Sequence, residues 1–137
     1  MAIGHWIIER SAFVGLPTAL DRDVWSNRIE LGLVSLSVVT RLEIGFSARN
    51  SADLWSSLKV PPLSFMPLEH FTPAAENRAA EVQLRLAERG QHRIPSIPNL
   101  LIAATAEVKE LTVLYLDTDF DLIAEITGQH LERLQTP

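Results

Sequence analysis

The chain has 137 residues, a formal net charge of −5, 47% hydrophobic and 21% charged residues, and no cysteine. Such a length suits one domain over residues 1–137 with a sizeable core, and such a composition excludes disorder. The missing cysteine excludes disulfides, thiolate metal sites and cysteine nucleophiles, and the acidic balance excludes a general basic coat for nucleic acid.

The first ten residues lack a basic stretch followed by a long apolar core, so no secretory leader is expected. No apolar run nears the ~18 residues of a membrane span, and a cytoplasmic setting is expected. His5 to Ile8 predicts a short buried strand ending at Glu9. Ser11 is a candidate cap for the next segment, and Pro17 breaks the chain. Thr18 then starts a helix through Trp25 and Ile29, which Gly32 ends. Leu33 to Val38 predicts a second strand. Thr40 and Glu43 have the spacing of a capping box and should open a helix toward Arg49.

A short helix is expected over Ser51 to Leu58, stopped by Pro61 and Pro62, with a short strand from Ser64 to Leu68. From Pro73 to Arg89 the apolar spacing is helical, through Ala75, Ala79, Val82 and Leu86, and Gly90 is the expected cap. Pro98 suits the first position of a helix through Lys109. Leu111 to Leu116 is the clearest strand, and a final helix is expected over Leu122 to Thr127. Glu132 to Gln135 is a candidate edge strand. Strands alternate with helices, which predicts an α/β fold with a mostly parallel sheet covered on both faces.

Ligands bind an open parallel sheet beyond the carboxyl ends of its strands. Acids gather there: Glu9 after the first strand, Glu43 past the second, and Asp117 and Asp119 after the strongest, with Asn99 at a helix start. Clustered carboxylates repel unless something positive lies among them, and hard cations such as Mg2+ or Mn2+ are held by oxygen ligands. Two such ions can activate water and stabilise a leaving oxygen in phosphodiester hydrolysis. Taken singly, Glu43, Asn99, Asp117 and Asp119 are better accounted for by capping and turn roles; their shared placement at one sheet edge is what favours chemistry. The four histidines have no zinc spacing, and no serine lies in a nucleophile elbow.

Four segments carry a resemblance. Residues 7–13 (IIERSAF), 37–43 (SVVTRLE), 97–106 (IPNLLIAATA) and 114–124 (LYLDTDFDLIA) resemble, in order and separation, the four motifs of PIN-domain nucleases. The match covers nearly the whole chain and is most similar to the VapC-type toxins of bacterial toxin–antitoxin pairs. The resemblance implies a three-layer α/β/α fold and an Mg2+- or Mn2+-dependent endoribonuclease cutting structured RNA, often tRNA or rRNA. It also implies a homodimer and a VapB-type antitoxin partner. By position, Glu9, Glu43, Asn99, Asp117 and Asp119 match the catalytic, metal-holding residues, with Ser11 and Thr40 in support. Arg10, Arg41 and Arg93 are candidates for RNA phosphates, although helix pairing or solubility explains any one of them. Trp25 and Trp55 are candidate linings for an antitoxin helix, or core residues.

Two departures stand out. Glu9 stands where the family has Asp, one methylene longer. Asn99 stands where the family has Asp; it keeps an oxygen ligand but loses a charge and cannot act as a general base, which implies impaired activity. Two other readings stay open: a catalytically inactive PIN-like module that binds its antitoxin, or another metal-dependent phosphoesterase or DNA nuclease.

Overall fold

The computed structural model describes residues 4–137; the part of the leader reading that falls on residues 1–3 lies outside the described residues. Five short strands form one sheet in the order β3-β2-β1-β4-β5. They are β1 (Trp6–Ile8), β2 (Val34–Ser37), β3 (Leu68–Glu69), β4 (Thr112–Tyr115) and β5 (Leu131–Arg133). Every pairing is parallel, so the sheet is wholly rather than mostly parallel. Ile8 lies opposite both Leu36 and Leu114, which ends the central strands level at one edge.

The connections supply seven helices among the described residues: α1 (Arg10–Gly15), α2 (Arg22–Glu30), α3 (Val38–Phe46), α4 (Ser51–Lys59), α5 (Pro73–Glu88), α6 (Ile97–Val108) and α7 (Asp119–Thr127). Helices α5, α6 and α7 cover one face of the sheet, where Ala79, Leu86, Ile102 and Phe120 pack with Ile7 and Val113. Helices α1 and α2 cover the other, where Ala12, Trp25 and Ile29 pack with Ile8, Leu36 and Leu114. The result is the expected three-layer α/β/α arrangement. No helix of the described residues is long and apolar enough to cross a membrane.

Several boundaries differ from the sequence reading. The cap of α1 is Glu9 rather than Ser11, because the longer acid reaches two helical N–H groups while Ser11 already lies inside the helix. Helix α2 begins at Arg22 rather than Thr18, since Leu16–Thr18 is taken by a 3-10 turn. The capping box at Thr40 and Glu43 does not form. Ser37 has the extended backbone of a cap and accepts the Thr40 N–H, so Thr40 lies in the first turn of α3. Ser64 to Leu68 is not a strand: Leu63–Phe65 is a 3-10 turn, closed by Met66 N–H donating to Leu63, and only Leu68–Glu69 pairs with β2. Helix α7 starts at Asp119, three residues early, and Ser96 caps α6 with Pro98 in its first turn.

Trp25 is fully buried, and its Nε1–H donates to Asp21 at 2.8 Å, so it belongs to the core and not to a groove. The Arg28 guanidinium sits 4.4 Å from the Trp6 ring and 4.6 Å from the Trp25 ring and meets Glu132 at 3.5 Å. This ties β1, α2 and β5 together by cation–π and ionic contact.

The two accounts of α3 predict different costs. Ser37→Ala removes the observed cap and should lower stability by about 1 kcal/mol in urea unfolding. Glu43→Gln should leave it within about 0.5 kcal/mol, as for an uninvolved surface position.

Candidate active site

Parallel β1, β2 and β4 deliver Glu9, Ser37 and Asp117 to one edge of the sheet, and α6 starts beside them. Glu9 is 1% exposed. Its Oε1 accepts the N–H groups of Ala12 at 2.7 Å and Leu116 at 3.0 Å, and its Oε2 accepts that of Ser11 at 3.1 Å. Burial raises the Glu9 pKa above the usual carboxylate range; the three backbone donors oppose that shift, and the nearby Asp117 charge adds to it. With two bonds on Oε1 and one on Oε2, little acceptor capacity remains beyond one position on Oε2.

Asn99, Asp117 and Asp119 are brought into direct contact. The Asn99 amide donates to Asp117 Oδ2 at 3.1 Å and to Asp119 Oδ2 at 2.9 Å. Asp119 N–H donates to Asp117 Oδ1, and Ser96 N–H donates to Asp119 Oδ2. Asn99 itself is held by the Ser96 hydroxyl, which caps α6. Two carboxylate oxygens thus converge on one NH2 group. An amide oxygen in that position would face two negative groups, so the electrostatics set the amide's orientation.

The remaining residues lie further out. Glu43 is half-buried on α3 and lines a depression with Arg10, Val39, Leu42 and Phe46. It forms no ion pair among the described residues. Thr40 is buried and exchanges a hydrogen bond with Ser37 at 3.1 Å, which holds the start of α3 rather than touching the acids. Ser11 contributes its backbone N–H to Glu9. Arg10, Arg41 and Arg93 are exposed and take part in no ion pair among the described residues. Sequence reasoning passed over Ser37 and Ser96, the two caps that aim α3 and α6; each stands just before an apolar helical run, which is the signal that finds them. An apolar cavity of about 360 Å³ between Phe13, Leu16, Ile29, Pro62 and Phe65 is lined by none of the candidate acids.

Among the described residues, no three His, Asp or Glu side chains are arranged to hold a metal ion. The reason is local: the third group between Asp117 and Asp119 is the carboxamide of Asn99, and Glu9 is turned to the backbone. The all-oxygen donors still fit a hard divalent cation, because two carboxylates already aim at one point. The Asn99 amide would have to turn its oxygen inward.

A wholly parallel α/β/α sandwich with an acidic patch at the carboxyl edge agrees with the PIN-type domain that the four segments resemble. Comparison with known proteins gives the family. The chain is 57% identical over 130 residues to Ribonuclease VapC2 of Mycobacterium tuberculosis (strain CDC 1551 / Oshkosh), covering 95% of this chain and 92% of that protein. It is 47% identical over 100 residues to Ribonuclease VapC51 of M. tuberculosis (strain ATCC 25618 / H37Rv), covering 73% and 71%. Among solved structures, VapBC2 from Rickettsia felis, bound to a DNA fragment from the promoter, matches with a TM-score of 0.74 at 18% identity over 95% of this chain and 98% of that one. VapBC-5 from M. tuberculosis matches with a TM-score of 0.65 at 22% identity, over 98% and 100%. These two likenesses show the shared fold. No protein-family model matches. The chain belongs to the VapC ribonuclease family of PIN-domain proteins.

Two stability measurements test the geometry. Glu9→Ala strands three N–H groups and should cost about 2–4 kcal/mol in urea unfolding, whereas Glu9→Gln keeps one acceptor oxygen and should cost about half as much. Asn99→Asp replaces the bridging donor with a third carboxylate. In chelator it should lose about 1–2 kcal/mol, and Mn2+ should restore more stability to it than to the parent chain.

Proposed function

We propose that this chain is a divalent-cation-dependent endoribonuclease toxin of a VapBC pair. Its substrate is structured RNA, tRNA or rRNA. It works in the cytoplasm as a single domain, paired in a homodimer, and a VapB-type antitoxin holds it in check. The observation that carries the reading is the convergence of Asp117 and Asp119 on one point at the carboxyl edge of the sheet. The names of the relatives, all ribonucleases, support the activity, and the VapBC neighbours support the antitoxin partner.

Mg2+ or Mn2+ would be held by Asp117 and Asp119, with the Asn99 carbonyl oxygen, Glu43 and the free position of Glu9 as further donors. When bound, the cation lowers the pKa of water and neutralises charge at the scissile phosphate. The protein's own part is positional. Asp119 is fixed by Ser96 N–H, and Asp117 is fixed by Asp119 N–H, so neither carboxylate has to be ordered during the reaction. Glu9 holds the Leu116 peptide, and Leu116 places Asp117. Arg10, Arg41 and Arg93 are free to take phosphates of the RNA, which the net charge of −5 would otherwise repel.

Asn99 impairs this site. Its NH2 group lies between the two carboxylates that would hold the cation, and it adds no charge to hold one. The same observation favours a second reading, a catalytically silent module that binds its antitoxin.

Cleavage of a tRNA and rRNA pool in Mn2+ separates the two. The parent chain should cut weakly. Asn99→Asp should raise the rate by roughly 10-fold or more, the scale of one repaired ligand. Chelator and Asp117→Ala should each abolish cleavage. No cleavage by either the parent or Asn99→Asp would leave the silent module standing.

A further inference from the structure

Among the described residues, ion pairs engage every arginine except Arg10, Arg41, Arg93 and Arg133. Arg10 opens α1 just after β1, Arg41 lies on α3 after β2, and Arg93 precedes α6. Arg133 is the last residue of β5, opposite Tyr115 in register and so at the carboxyl edge on the far flank. Its side chain is exposed yet oriented. Nη1 donates to Leu116 O at 3.2 Å, and the guanidinium lies 5.6 Å from the centroid of the Tyr115 ring. The neighbouring carboxylate, Asp121, is occupied by the Tyr115 hydroxyl and does not pair with Arg133.

We propose that Arg133 binds a phosphate of the RNA backbone on the β5 flank of the site, extending the contacts across the whole carboxyl edge. The inference rests on the ribonuclease reading of this site. Three features support it. A guanidinium has five N–H donors; Leu116 O takes one and the Tyr115 hydroxyl draws on another, so donors remain for a phosphate. The Leu116 peptide it grips is the one whose N–H binds Glu9 and whose carbonyl leads into Asp117, so the cation is anchored to the acidic site itself. In an acidic chain, an exposed arginine with no acidic partner beside a carboxylate patch is what a polyanion needs to approach that patch.

The test is fluorescence anisotropy of a fluorescein-labelled RNA stem-loop, titrated in Ca2+ across ~50–200 mM KCl, beside steady-state cleavage of the same RNA in Mn2+. Arg133→Gln should raise Kd roughly 3–10-fold and make the slope of log K against log salt shallower by about 0.7–0.9, one phosphate contact. It should raise KM more than it lowers kcat. Arg133→Lys should recover the slope. Arg49→Gln, an equal charge change at an arginine bonded to Asp53, should leave the slope where it was. An unchanged slope in Arg133→Gln overturns the proposal while the ribonuclease reading stands, and so does a lowered thermal midpoint as its sole effect. A parent chain that neither binds nor cuts RNA overturns the reading and the proposal with it.

Discussion

A buried carboxylate at the end of the first strand holds the working edge of this protein together. Glu9 accepts N–H groups from α1 and from the residue after β4. Two secondary structure elements far apart in sequence are therefore fixed to one side chain. The cost is desolvation, which raises the pKa of Glu9; the gain is three backbone donors satisfied where water cannot reach. The extra methylene of Glu relative to Asp makes physical sense here, because a longer arm lets one oxygen serve both α1 and β4.

Next to Glu9, charge is managed by a second device. Asp117 and Asp119 would repel each other, and the amide of Asn99 stands between them as a neutral donor to both. In this arrangement a neutral hydrogen-bond donor, rather than a positive charge, satisfies one oxygen of each carboxylate. The arginines divide along the same line. Those away from the edge are engaged on helix surfaces, such as Arg78 with Glu81 and Glu107, while those at the edge keep their charge unpaired. Among the described residues, the arginines left out of ion pairs thus follow or precede the strands and helices that carry the acids.

Much of the fold was legible because its signals are local. The apolar period over Pro73–Glu88 is the buried face of α5, and the mainly apolar run before Asp117 holds β4. Gly32, Gly90 and Gly128 end their helices with φ of 73°, 70° and 68°, values that favour glycine. The helix starts were less legible. Thr40 and Glu43 have capping-box spacing, but Ser37 stands three residues before Thr40 with the extended backbone a cap requires, and it took the Thr40 N–H first. The tryptophans show the same limit. Composition cannot say that Trp25 is enclosed by Asp21, Arg28 and Trp6 while Trp55 is 63% exposed.

The sequence alone determined which residue types reach the carboxyl edge: alternating strands and helices place Glu9, Asp117 and Asn99 there whatever the details of packing. It also determined the two departures, Glu9 and Asn99, since each is a single letter within an otherwise matching segment. The tertiary structure decided what those residues do. The role of Glu9 depends on Leu116, 107 positions away, and that of Asn99 on Asp117 and Asp119, 18 and 20 positions away. Contacts over such separations leave no periodicity or spacing in the chain. Only the closure of the parallel sheet brings the donors and acceptors within hydrogen-bond reach, so hydrogen-bond satisfaction in the folded state, rather than residue type, gives Glu9 wholly to backbone donors and leaves Asp117 and Asp119 facing a common point.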